Sequence, residues 1–153
     1  MEKATARVDE LRLDLRNPRK PGAEFGNTSE AIEYLVRYAD VMELISSITR
    51  SGWLDFEPLI IERDTNIVIE GNRRLAALLL IRDPELRKTH RLTLPDDVLD
   101  GATPESVEVF VVGDRAEARD FIGFKHINGP FKWDALAKAK YAWEWLQEDP
   151  SLG

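Results

Sequence analysis

The chain has 153 residues, 43% of them hydrophobic, which is the size and composition of one globular domain with a real core. It contains no cysteine and two histidines, His90 and His126, so disulfide scaffolds, zinc-cysteine centres and thiol catalysis are excluded and any metal should be a hard cation such as magnesium. A formal net charge of -7 argues against this domain alone wrapping a nucleic-acid backbone. No run approaches the ~18 apolar residues of a membrane span, and the first residues lack a signal peptide's apolar core, so a cytoplasmic domain with no membrane partner is expected.

Taken in chain order, Val8 to Leu15 alternates loosely and predicts a strand that breaks into a loop at Asn17-Pro18-Arg19. Ser29 to Ser51 has apolar residues at helical spacing, and Asp40 with Glu43 resembles a capping box, which predicts two short helices meeting near Asp40 and ending at Gly52. The runs Pro58 to Glu62 and Ile67 to Glu70, separated by Arg63-Asp64-Thr65-Asn66, predict a hairpin. Asn72 to Arg82 then predicts a helix that is apolar on most sides, and therefore buried, and stopped by Asp83-Pro84. Pro84 to Ser106 shows no clear period and predicts a long polar excursion, whose basic run from Arg82 to Arg91 is expected to be solvated. Val107 to Val112 predicts a strand, and the Asp114/Glu117 capping box predicts a helix running to about Ile127. Asp134 can cap a last helix through about Gln147, so 1–128 is expected to be the core and 129–153 a helical extension opening a longer helical region.

The chemistry concentrates at Glu70-Gly71-Asn72-Arg73-Arg74, where a strand turns through glycine into a helix. Backbone N–H groups at a helix start lack intrahelical partners and carry partial positive charge, which suits an anion. Two arginines in that same turn oppose the dipole at a cost of about 0.3–1 kcal/mol each when exposed, so an anion nearby would offset them. Glycine lets a ligand approach the backbone, and guanidinium forks grip phosphate oxygens bidentately. Spacing leaves a second use open, in which Arg73 and Arg74 pair with Glu70, Glu62 or Asp64.

The stretch from Ile48 to Leu79 resembles the core of ParB-type partition proteins, where a helix, a glycine turn and two strands lead to a Gly-Glu-Arg-Arg box opening a helix. Here these read Gly52-Trp53-Leu54-Asp55-Phe56-Glu57-Pro58-Leu59 and Glu70-Gly71-Asn72-Arg73-Arg74. Leu15-Arg16-Asn17-Pro18-Arg19 resembles the first box of the ParB/sulfiredoxin superfamily, and Phe124 to Tyr141 loosely resembles its third. The likeness spans about Val8 to Tyr141 and implies an α/β (α+β) domain with a small mixed sheet of about four strands flanked by helices.

That resemblance implies a nucleoside triphosphate-binding domain for CTP or ATP, a magnesium-dependent NTPase or switch in a DNA-associated system such as partition or anti-phage defence. DNA would be met through other regions of a longer protein, and a homodimer is possible in such a system. The implied phosphate contacts are Gly71, Asn72, Arg73, Arg74, Asn17, Arg19 and Asn128. Two departures bear on the metal: the box's glutamate is Asn72, and the third box's acidic-amide pair is replaced around His126, Ile127 and Asn128. Glu70 is the candidate replacement, as metal ligand with Asn72 or as water-orienting catalytic base; His126 offers a second acid or base, or a ring capping the helix end before Asn128-Gly129. The sulfiredoxin activity needs a cysteine and is excluded. The competing readings are a phosphotransferase of the same superfamily and a non-catalytic module that binds DNA or a partner. No P-loop, dinucleotide fingerprint or His-Glu-x-x-His helix occurs.

Overall fold

Leu59, Ile60 and Ile61 form a run of β-branched and apolar residues that must be buried on both sides, and the sheet is built around it. The computed structural model describes residues 2–16, 22–53, 58–94 and 103–128, with the backbone alone for 120, 121 and 124–128. β2 (Leu59–Glu62) and β3 (Val68–Glu70) pair as an antiparallel hairpin. Its turn places Asp64 and Asn66 at φ 70° and 58°. β4 (Ser106–Val112) lies parallel to β2, and β1 (Glu2–Arg7) lies antiparallel to β4. The result is a mixed four-stranded sheet in the order β1-β4-β2-β3, an α+β fold.

Strand periodicity of two sends alternate residues to opposite faces. Leu59, Ile61, Val68, Val107 and Val109 face one core, shared with α1 (Thr28–Tyr38), α2 (Val41–Ser51) and α3 (Asn72–Arg82). Ile60 and Val112 face the other, where α5 (Arg115–Asn128) contributes Ala118 and Ile122. Helices therefore cover both sides of the sheet. α3 buries Leu75, Ala76, Ala77, Leu78, Leu80 and Ile81, as its nearly continuous apolar sequence requires.

Two helices do meet at Asp40, but the expected capping box is absent there. Asp40 is left-handed at φ 52° and its side chain makes no cap, leaving its carbonyl to accept from the Glu43 N–H at 3.1 Å. At the start of α5 the expected pair is engaged: Asp114 Oδ1 accepts from the Glu117 N–H at 2.9 Å, while Glu117 Oε2 reaches one residue further back and accepts from the Gly113 N–H at 2.7 Å.

Two elements lie elsewhere than the sequence suggests. The first strand lies at Glu2–Arg7, before the expected span; Val8–Glu10 is a 3-10 turn, which lets Val8 and Leu11 face the same core. The segment after it runs beside β3, where the Arg12 N–H donates to the Asn66 carbonyl at 3.0 Å and the Val68 N–H to the Arg12 carbonyl at 2.8 Å. The polar excursion opens with a helix, α4 (Pro84–Thr89). Asp83 Oδ1 caps it by accepting from the Glu85 and Leu86 N–H groups, and Pro84 suits the first turn, where no donor is required.

The basic run beyond α3 is not uniformly solvated. Arg87 is buried and its Nη1 donates to the Leu80 and Ile81 carbonyls at 2.9 and 2.7 Å, closing the end of α3. His90 is buried too, with Nδ1 2.7 Å from Glu33 Oε2 and Nε2 3.5 Å from Ser29 Oγ, which ties α1 to the end of α4. The expected helix from Asp134 to Gln147, and the whole 129–153 extension, lie outside the described residues.

Candidate functional site

The end of β3 must turn sharply to become α3, and Gly71 makes that turn with φ 103°. A β-carbon there would run into the Leu59 side chain and stand 3.1 Å from Arg74 Nη2, so both the dihedral and the space call for glycine. The Leu75 N–H donates to the Gly71 carbonyl at 3.0 Å and closes the first turn. Gly71 offers no side-chain cap, and no acidic residue lies in that turn. The amides and arginines of α3's start therefore bring partial and formal positive charge together at the turn, one residue after the Glu70 carboxylate.

The structure separates the two arginines. Arg74 is half-buried, with its guanidinium carbon 5.9 Å from the centre of the Trp53 ring and its Nη2 3.1 Å from where a β-carbon on Gly71 would stand. That is cation–π geometry, and it holds the guanidinium plane against the glycine turn. Arg73 is exposed and its Nη1 donates to the Ala39 carbonyl at 3.2 Å, at the end of α1, where the helix dipole favours a cation. Arg74 therefore lies at the glycine turn, while the Arg73 Nη1 reaches across to the α1–α2 elbow.

Asn72 is half-buried and uses both ends of its amide. Its Oδ1 accepts from the Asp14 N–H at 2.8 Å and its Nδ2 donates to the Val68 carbonyl at 2.7 Å. Asp14 in turn is gripped by Arg115, the first residue of α5, through Nη1–Oδ2 and Nη2–Oδ1 contacts of 2.7 and 2.9 Å. The Arg16 N–H adds a third donor at 3.1 Å to Asp14 Oδ1. Hydrogen bonding to Asp14 raises the Arg115 pKa above its ordinary value, against the opposing effect of burial.

Glu70 is half-buried immediately before the glycine. Among the described residues no group of three or more acidic or histidine side chains converges on a common point. Glu70 supplies a carboxylate at the turn, and the Asn72 oxygen keeps a second lone pair beside the one that takes the Asp14 N–H. A hard cation meeting this carboxylate would be carried mainly by phosphate oxygens and water, the usual way magnesium is held.

Of the other expected site residues, Asn17 and Arg19 lie outside the described residues; His126 and Asn128 fall in the last turn of α5, with their side chains outside the description. Asp14, Arg115 and Trp53 were not singled out by the sequence. Asp14 and Arg115 are 101 residues apart, so their pairing has no local signal. Trp53 follows Gly52 directly, and its place one residue beyond a helix stop was the hint available. A separate surface cleft of about 590 Å³, bordered by Asp9, Glu10, Arg12 and Asp64, opens at the other end of β3 and takes no part in this arrangement. Comparison with protein-family models, with curated proteins and with solved structures found no match to this chain.

Proposed function

We propose that the chain is a ParB-like nucleoside triphosphate-binding domain for CTP or ATP, with its phosphates seated on the start of α3. The observation that carries this is the conjunction at Gly71: a turn that excludes a β-carbon, helix-start amides with no side-chain cap from Gly71, and the Arg74 guanidinium beside the turn and over the Trp53 ring. Amides supply shaped hydrogen-bond donors and the guanidinium supplies charge, so a phosphate would meet both at one place. Supporting it from sequence is the resemblance of Gly52 to Arg74 to the partition-protein core.

In this reading Glu70 and the free lone pair of Asn72 would hold Mg2+ together with the phosphate oxygens, and the ion would neutralise charge on the triphosphate. Glu70 accepts a proton from the attacking water as the bond to the terminal phosphate breaks, which makes the domain an NTPase. Asn17, Arg19, Arg73 and Asn128 are secondary phosphate contacts, and His126 a second acid or base. The DNA-associated role and the homodimer follow from the resemblance alone, and the cytoplasmic setting from the lack of a long apolar run or signal-like start in the sequence.

One observation favours a second reading, a nucleotide binder without turnover. Asn72 stands where the related box has a glutamate, and its amide is engaged at both ends in holding the fold. Thermal-shift screening of CTP, ATP, GTP and ADP, with and without magnesium, tests binding, because a ligand selective for the native state raises its melting temperature. Stabilisation by a triphosphate that disappears in Arg74→Ala is expected; stabilisation by none of the four contradicts the proposal. Phosphate release then separates the two readings, and Glu70→Gln should lower turnover far more than affinity.

A further inference from the structure

We propose that Asp14 and Arg115 are positioning residues of the phosphate cradle, acting through Asn72 without touching the ligand. The inference rests on the nucleotide reading above and adds to it a mechanical link between α3 and α5.

Asn72 is the first residue of α3, so where it stands decides where the first amides of that helix point. Its side chain is strung between two anchors, the Val68 carbonyl on β3 at 2.7 Å and the Asp14 N–H at 2.8 Å. The β3 anchor belongs to the same hairpin, four residues away. The Asp14 anchor comes from 58 residues away and is itself movable unless something fixes it. Arg115 fixes it with a bidentate fork of 2.7 and 2.9 Å between side chains that are 22% and 13% exposed. Charge-assisted bonds of this kind add directional specificity to their energy, which a single point charge would not.

The geometry has a consequence across the sheet. α3 packs on one face and α5 on the other, and the Arg115–Asp14–Asn72 chain connects their first turns round the β3 edge. A displacement of α5 at Arg115 reaches the start of α3 through two contacts. Linkage is reciprocal, so a phosphate ligand that fixes α3's first turn must also steady the first turn of α5.

The discriminating variant is Arg115→Lys, which keeps the charge and loses the fork. Asp14→Asn is its companion: it keeps the main-chain N–H to Asn72, and Glu24 and Glu62 remain near Arg115 to balance it. Inorganic tripolyphosphate is the probe, since it carries the phosphate chemistry without a base. Titration calorimetry on the full chain should give binding by wild type that weakens about tenfold in each variant, within the range expected for residues that couple sites at a distance. Hydrogen exchange supplies a readout that a purely structural role would not move. Tripolyphosphate should slow exchange at 115–118 in wild type, and that response should vanish in Arg115→Lys.

Affinity in both variants equal to wild type, or wild-type binding with no exchange response in α5, overturns this inference and leaves the nucleotide reading standing. A wild-type chain that binds neither tripolyphosphate, CTP nor ATP overturns the nucleotide reading, and this one with it.

Discussion

Gly71 carries the tightest constraint in the site. Alanine there must adopt φ 103° and push its β-carbon into Leu59, so Gly71→Ala should destabilise the fold by about 2–3 kcal/mol, combining left-handed strain with overpacking. Urea unfolding checks it, and an unchanged midpoint would show that the turn relaxes. At Glu33, the hydrogen bond to His90 holds the carboxyl below its ordinary value of 4.5. A carboxylate with a lowered folded value contributes stability above the unfolded pKa and loses it as pH falls through the folded one. The melting-temperature advantage of wild type over Glu33→Gln should therefore be full above about pH 5 and shrink below about pH 4.5; a pH-independent difference would contradict the link. The turn from strand through glycine into helix, with two arginines after it, was legible because the signal is local. The diversion of Arg73 to Ala39, 34 residues distant, and the Asp14 to Arg115 pair were not, because neighbours in space leave no mark on adjacent sequence.

At the scale of elements, legibility followed the strength of periodicity and capping. α3 runs over the span that its apolar run and the Asp83-Pro84 stop predicted, and α5 starts at its capping box. β1 was missed because its inward residues are Ala4 and Ala6, too small to register as a hydrophobic face, on a strand at the sheet's edge. α4 was missed because six residues give less than two turns of pattern, although Asp83 before Pro84 carries the start signal. The two Asp83 cap bonds predict that Asp83→Ala costs about 1 kcal/mol, visible as a lowered urea midpoint. Arg87 should be more sensitive, since its head group closes the buried end of α3: Arg87→Met should cost about 2–3 kcal/mol by leaving the Leu80 and Ile81 carbonyls without their charged donor. A loss of less than about half that for Arg87→Met would mean that water replaces the guanidinium.

Over the whole molecule, helices on both faces of a four-stranded mixed sheet leave the start of α3 at one end of the β3 edge, with Asp14 and Arg115 closing round it. The fold class was what the family resemblance implied, whereas the strand order and the wrapping of the chain past β3 depended on long-range pairing. The proposed function requires an anion at the amino end of α3, held by Gly71, its neighbouring amides and Arg74. Amide chemical-shift mapping of the full chain during titration with CTP or ATP in the presence of magnesium tests that most directly. The largest shifts are predicted at Gly71, Asn72, Arg73 and Arg74, and they should be abolished by Arg74→Ala; a spectrum unchanged by either nucleotide, or shifts centred away from this turn, would contradict it.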